Sequence, residues 1–185
     1  MAEQPTLESP RLILRPFVVA DAPTVQRLAG ERAVADTTMN VPHPYPDGAA
    51  EEWIATHRPA FDRGESAVFA MVLRQTGALV GAMGLVLRPD FERAELGYWV
   101  GQPYWGRGYC TEAARVVVAF GFCHMGLNRI YAWHLARNPA SGRVMEKVGM
   151  AYEGCARQHV IKWDRHEDLV LRGLLRSEWK AQQPE

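Results

Sequence analysis

Charged and apolar residues alternate over Arg11-Leu12-Ile13-Leu14-Arg15, a period-two strand with Leu12 and Leu14 on one face. Pro16-Phe17 ends it, and Asp21 is placed to cap a helix running to about Ala29, before Gly30. The stretch Val41 to Pro46 holds three prolines and is too stiff for regular structure. Asp47 is then placed to cap a helix from Ala49 to about Phe61, with Trp53, Ile54 and His57 on one side and Pro59 disturbing its last turn. Two apolar strands follow, Ala67 to Leu73 and Leu79 to Leu87, joined by a turn at Gln75-Thr76-Gly77. Ala94 to Val100 reads as a further strand ending at Gly101-Gln102-Pro103.

Beyond it, Ala113 to Met125 is an almost unbroken apolar run with Val116, Val117 and Phe120 at helical spacing, closed by Gly126. Arg129 to Leu135 is a strand. Asn138 at the cap and Pro139 at the first helical position start a short helix that ends at Gly149. The remainder, Met150 to about Ile161 and His166 to about Leu174, reads as a hairpin turning at Lys162 to Arg165. Helices and strands interleave without repeat or linker, so one compact α+β domain over residues 1–185 is expected.

Composition narrows the classes. Lys+Arg and Asp+Glu both total 21, which leaves no basic field to recruit nucleic acid or an anionic membrane. The apolar run around Val116 to Cys123 is too short to span a bilayer, and the first residues show no apolar signal segment. Cys110, Cys123 and Cys155 cannot pair completely and form no Cys-x-x-Cys, which points to a reducing, cytoplasmic setting. No His/Cys/Asp spacing suggests a metal site.

The chemistry concentrates in Trp105-Gly106-Arg107-Gly108-Tyr109-Cys110-Thr111-Glu112-Ala113, a glycine loop between a strand and a helix. Glycines on both sides of Arg107 leave backbone N–H groups uncovered where a helix begins with its positive dipole end. That is an anion cradle suited to phosphate; the plainer reading is a glycine turn entering a core helix. No Gly-Lys-Ser/Thr follows, so it is not a P-loop, and Thr111 stands where the dinucleotide fingerprint needs glycine or alanine. The loop resembles the pyrophosphate loop of the GNAT superfamily of N-acetyltransferases, whose pattern Q/R-x-x-G-x-G/A falls on Trp105 to Cys110. Trp105 and Cys110 are its two departures. The run from Trp105 to Ala113 and the opening Glu8 to Pro16 are similar to the branch of ribosomal-protein N-terminal acetyltransferases. Asn138 to Met150, with Glu146-Lys147-Val148-Gly149, resembles the C-terminal motif of the same superfamily.

The resemblance implies an α+β GNAT-like domain: a mixed, mostly antiparallel sheet of six to seven strands with about four helices. It implies acetyl transfer from acetyl-CoA to a primary amine, a protein N-terminus or a small amine, by direct attack. Coenzyme A would be held by Gly106, Arg107, Gly108, Tyr109, Cys110 and Thr111. Tyr98, Trp99 and Val100 would contribute free N–H groups from a splayed strand end, and the counterpart of Asn138 contacts pantetheine, though a plain helix cap accounts for it equally. Many members carry a tyrosine acid seven residues after the Asn; Met145 stands there and cannot donate a proton. Ser141 is then the nearest hydroxyl, as acid or as an ordinary first-turn residue. Glu95 is the candidate base or water-positioner, or else an ion-pair partner. Trp133 occupies the position some relatives use instead, and His134 and His159 are weaker alternatives. The acceptor would enter between Pro42 to Pro46, with His43 and Tyr45, and Lys162 to His166; no acidic cluster there demands a polyamine. A homodimer is compatible with the resemblance. A catalytically silent acyl-CoA-binding module is the competing reading, kept open by Met145, and phosphoryl transfer is disfavoured for want of the loop lysine.

Overall fold

The computed structural model describes residues 3–181; the ends of the expected 1–185 domain, residues 1–2 and 182–185, lie outside the described residues. One eight-stranded sheet runs β1 (Leu7–Glu8), β2 (Leu12–Arg15), β3 (Ser66–Leu73), β4 (Leu79–Arg88), β5 (Arg93–Val100), β6 (Arg129–Leu135), then β8 (Arg165–Leu175) and β7 (Ala151–Lys162) at the far edge. Every neighbouring pair is antiparallel except β5 and β6. The α-helices are α1 (Ala22–Ala29), α2 (Arg32–Thr37), α3 (Ala49–Asp62), α4 (Tyr109–His124), α5 (Pro139–Lys147) and α6 (Arg176–Ala181). Among the described residues, eight strands and six α-helices therefore replace the expected six to seven and about four. The additions are β1, α2 and α6, each six residues or fewer, too short to display a period. None of the described helices is long and apolar enough to cross a membrane.

The sheet is covered on both faces. Phe69, Met71, Met83 and Leu85 pack towards α4, with Val117 and Phe120. Ala70, Val72, Ala82 and Trp99 pack with Val25 and Leu28 of α1 and Ile54 of α3. Burial on both faces explains why β3 reads as a continuous apolar run rather than an alternating one. Three local expectations change. Helix α4 begins at Tyr109, four residues before the apolar run, because its first turn includes Thr111 and Glu112. Gly48, at φ 79°, occupies the cap of α3, while Asp47 accepts a bond from Gln26 Nε2 at 2.9 Å. Helix α3 also continues through Pro59 to Asp62. Asp21 does stand before α1, but its carboxylate serves Arg15, at 2.7 and 2.8 Å, and the Val18 amide.

The feature that positions the site is a parting of strands. β5 and β6 pair only over Arg93–Arg129, Ala94–Ile130 and Glu95–Tyr131. Past Glu95, β5 follows β4 as far as Val100 opposite Gly81, and β6 follows β8 as far as Leu135 opposite Leu169. A wedge opens between them.

His57 is buried on α3 between Trp53, ring centroids 4.4 Å apart, and Phe17, with neither ring nitrogen hydrogen-bonded. Desolvation pushes its pKa down to about 4 from the ordinary 6.5. The unfolded chain takes up the proton first as pH falls, so this contribution to stability is full above about 6.5 and lost towards about 4. Replacing His57 with Leu removes that share. The fall in melting temperature between about pH 7 and about pH 5 should be smaller in the variant than in the wild type; an equal fall would show that His57 is not the titrating group.

Candidate active site

The loop after β5 is pinned before it turns. A short 3-10 turn over Gln102–Tyr104 leads to Trp105, whose Nε1 donates to Val100 O at 2.6 Å. Gly106 (φ 73°) and Gly108 (φ 80°) then adopt left-handed backbone, which glycine takes without the penalty a Cβ carries. The loop and the first turn of α4 form one side of a cleft of about 350 Å³. Tyr98, Trp99 and Val100 line it from β5, and Ala140, Ser141 and Val144 from α5. Arg143 and Lys147, at i and i+4 on α5, bring two positive charges to the same cleft. Exposed amides at the start of a 16-residue helix, two cations and an apolar wall suit a long ligand with an anionic end.

Arg11 braces this loop from across the sheet. Its Nη1 donates to Arg107 O at 3.0 Å, its Nε to Glu112 Oε2 at 2.6 Å, and its guanidinium lies 4.8 Å from the centre of the Tyr109 ring. Glu112 also accepts from Ser9 Oγ at 2.7 Å and the Arg11 amide at 2.8 Å. Burial alone would raise the Glu112 pKa, but these bonds outweigh it and hold the carboxylate below its usual range. Arg107, between the glycines, turns its carbonyl to Arg11 and is not among the cleft-lining residues. Sequence reasoning missed Arg11, Arg143 and Lys147; only the helical spacing of the last two was a readable signal.

Across the cleft, Tyr98 and Ser141 form a pair. Tyr98 Oη lies 2.8 Å from Ser141 Oγ and 3.1 Å from the Ser141 carbonyl oxygen. Burial drives the phenol well above its ordinary pKa, which the bond to Ser141 only partly offsets, so it stays protonated. Tyr98 was expected to act through its backbone; the structure adds its side chain. Asn138 accepts from the Ser141 amide at 3.2 Å, capping α5, and donates to Thr37 O at 3.1 Å. Its side chain is thus engaged in the cap while the residue still lines the cleft. Burial pushes the Cys110 thiol up to about 12, which leaves it an inert lining group. Met145 is buried in the core and does not line the cleft.

On the other side of Tyr98 lies a second cavity of about 460 Å³. Thr37, Thr38, Tyr98, Trp99 and Ser141 line both, so the two meet at the parted strands. Glu95 lines only the second. Its pKa is raised, chiefly by burial, with Arg88 and Tyr131 pulling the other way. A cavity carboxylate with a raised pKa is a candidate proton acceptor. Of the 42–46 stretch, Pro42 and Tyr45 line this cavity, together with Val41, whereas His43, Pro44, Pro46 and the 162–166 hairpin tip do not. Lys162 instead donates to Met39 O at 3.3 Å and Val41 O at 3.2 Å, tying the tip to the 39–45 segment. Trp53 and Trp133 supply the wall in its place. His134 lines the cavity with Nδ1 2.9 Å from Leu135 O, its other nitrogen packed on Gly142. His159 is exposed and stacks on Trp133.

The family model for the GNAT acetyltransferase domain matches residues 11–151. The uncharacterized N-acetyltransferase YnaD of Bacillus subtilis is 30% identical over 91% of this chain and 96% of that protein. A ribosomal protein uS5-alanine N-acetyltransferase of Escherichia coli is 29% identical over 51% of this chain and 48% of its own length. Among solved structures, RimL, a ribosomal-protein alpha-N-acetyltransferase in complex with coenzyme A, superposes with a TM-score of 0.85. It is 15% identical and covers 92% of this chain and 98% of that one, a likeness of fold.

The glycine loop generates a direct expectation. Gly108→Val places a β-branched side chain at a left-handed φ, costing about 1–2 kcal/mol of backbone strain, and obstructs the cradle. It should abolish coenzyme A binding in calorimetry while the circular dichroism spectrum stays close to wild type. Arg11→Ala should weaken the same binding about fivefold to tenfold, the scale of one or two lost hydrogen bonds. Unchanged affinity in both variants would show that the loop is not the coenzyme site.

Proposed function

The chain belongs to the GNAT acetyltransferase family, and from that membership we propose a division of labour for its acetyl transfer from acetyl-CoA to a primary amine. Acetyl-CoA is the co-substrate, and when bound it supplies an acetyl group activated as a thioester. The glycine loop, Tyr109 to Thr111 and the amides at the start of α4 hold its pyrophosphate, aided by Arg143 and Lys147. Tyr98 and Val100, whose N–H groups face the side that β6 has left, provide donors for pantetheine and for the carbonyl oxygen as it gains charge, while the Trp99 amide is turned to β4. The observation that carries this reading is the meeting of two cavities at the parting of β5 from β6, one with anion chemistry and one with a raised carboxylate.

Glu95 removes the proton that keeps the incoming amine from being nucleophilic, directly or through a water. Ser141 supplies a hydroxyl to the departing sulfur. Tyr98 has one hydrogen for two acceptors on Ser141, its Oγ and its carbonyl oxygen. When the phenol donates to Oγ, the serine hydrogen is free to turn to sulfur; when it donates to the carbonyl, that hydrogen is drawn back to Tyr98. Tyr98 thus sets where the serine hydrogen points. A thiol's ordinary pKa of about 8.5 makes it a fair leaving group, so this donor assists and is not indispensable. The placement of Glu95, Tyr98 and Ser141 around one junction supports turnover over the silent binding module. A protein N-terminus or a small amine is the acceptor, the former favoured by the relative that acetylates an alanine of ribosomal protein uS5. The three cysteines are unpaired, as suits work as one domain in the cytoplasm.

Two sets of variants test the roles. Activity requires the ionised Glu95, so kcat/KM should rise with pH through a limb lying above the ordinary carboxylate value of about 4.3. Glu95→Gln should erase that limb and lower kcat roughly 10²-fold or more, with KM for acetyl-CoA nearly unchanged. A limb that persists in the variant would remove Glu95 from the mechanism. Ser141→Ala should cost on the order of tenfold to a hundredfold in kcat with little change in coenzyme affinity. Tyr98→Phe should cost less alone, and nothing further on top of Ser141→Ala, because it acts through the same hydroxyl. Independent, additive losses would contradict the pairing.

A further inference from the structure

The cavity containing Glu95 has a one-sided chemistry. Among the described residues that line it, Glu95 is the only formally charged side chain, whereas the coenzyme cleft carries Arg143 and Lys147. Around it stand Tyr45, Trp53, Trp99 and Trp133, drawn from the 39–45 segment, α3, β5 and β6. An ammonium finds one carboxylate and several aromatic faces there, both favourable to a single positive charge. A second cation would be desolvated without a partner, and so would an anion. The floor is shaped as well. Along β5, Glu95, Gly97 and Trp99 fall on one face opposite Val86, Gly84 and Ala82 of β4. A Cβ added at Gly97 would meet no atom within 4 Å, although a carboxylate and an indole stand two residues to either side. Gly97 lines this cavity and not the coenzyme cleft. The floor is therefore left bare midway between the base and Trp99, room for an apolar group attached to the amine.

We propose that the acceptor is a primary amine carrying one bulky apolar, preferably aromatic, group and no second charge near the nitrogen. The proposal rests on the acetyltransfer reading and narrows it. The same chemistry is offered by a free arylalkylamine and by a peptide that begins with an aromatic residue.

Initial rates of thiol release at saturating acetyl-CoA, with product masses recorded, distinguish these. The probes are 2-phenylethylamine, tryptamine, a phenylalanyl-alanine amide, spermidine and β-alanine. At least one aromatic acceptor should exceed spermidine and β-alanine in kcat/KM by about tenfold or more, since an unmatched charge in an apolar pocket is rejected strongly. The ratio of the free aromatic amines to the peptide amide identifies the source. Gly97→Val fills the floor without touching the fold, and should cut kcat/KM for the preferred aromatic acceptor about tenfold or more while the acetyl-CoA dissociation constant is retained. Preference for spermidine or β-alanine overturns the proposal, as does Gly97→Val leaving the aromatic acceptor's kcat/KM unchanged. Acetyl-CoA binding without transfer to any aromatic probe overturns it too. Failure of the wild type to bind acetyl-CoA in calorimetry would instead remove the acetyltransfer reading and this proposal with it.

Discussion

Backbone amides and carbonyls inside a sheet need partners, and a stretch of strand that loses its neighbour must find them elsewhere. Beyond Glu95, β5 is in that position on one side: β6 has turned away to follow β8, and only β4 remains paired with it. The wedge so formed is lined by side chains rather than filled by them. An extended ligand chain can lie against the free edge of β5 as a further strand would, its reactive carbon beside the strand's N–H groups. The glycine loop immediately after β5 then receives the ligand's anionic end without any further change of direction. Site and sheet defect are one feature of the topology.

A defect in a sheet persists only if its walls are held apart independently. Each wall here has its own ties. Arg11 and Glu112 join the start of β2 to the first turn of α4, fixing the loop side. On the other side Asn138 and Arg137 bond the carbonyls of Thr37 and Asp36, and Lys162 bonds those of Met39 and Val41. Segment 36–41 is thereby fastened to the start of α5 and to the β7–β8 hairpin, so the second cavity keeps its outer wall. Hydrogen bonding between Tyr98 and Ser141 links β5 to α5 across the wedge itself. It lies where the two cavities join, which gives one interaction both a structural and a chemical consequence.

Much of this was readable along the chain, and the boundary is physical. The glycine loop, the Asn138-Pro139 helix start and the terminal hairpin are encoded by neighbouring residues, and each stands where the pattern put it. The extra elements were invisible because β1, α2 and α6 are shorter than any periodic signal needs. Asp47 and Asp21 have cap-forming side chains that other side chains, Gln26 twenty-one residues away and Arg15 six residues away, claim instead. The bracing of the loop joins residues 101 apart, and the Lys162 ties span 121 and 123. No spacing rule reaches that far. Tyr98 was singled out for its backbone alone, since nothing local says that its phenol meets a serine 43 residues on.

Hydrogen–deuterium exchange of the chain with and without saturating coenzyme A measures the wedge directly. The account predicts that protection gained on binding concentrates in two segments, residues 98–100 at the unpartnered end of β5 and residues 106–111 at the loop and the start of α4. The paired part of β5, residues 93–95, should barely change, since β4 and β6 already occupy it. Protection gained elsewhere, with residues 98–100 exchanging as fast in the complex as in the free protein, would contradict the claim that the parted strand is where the coenzyme lies.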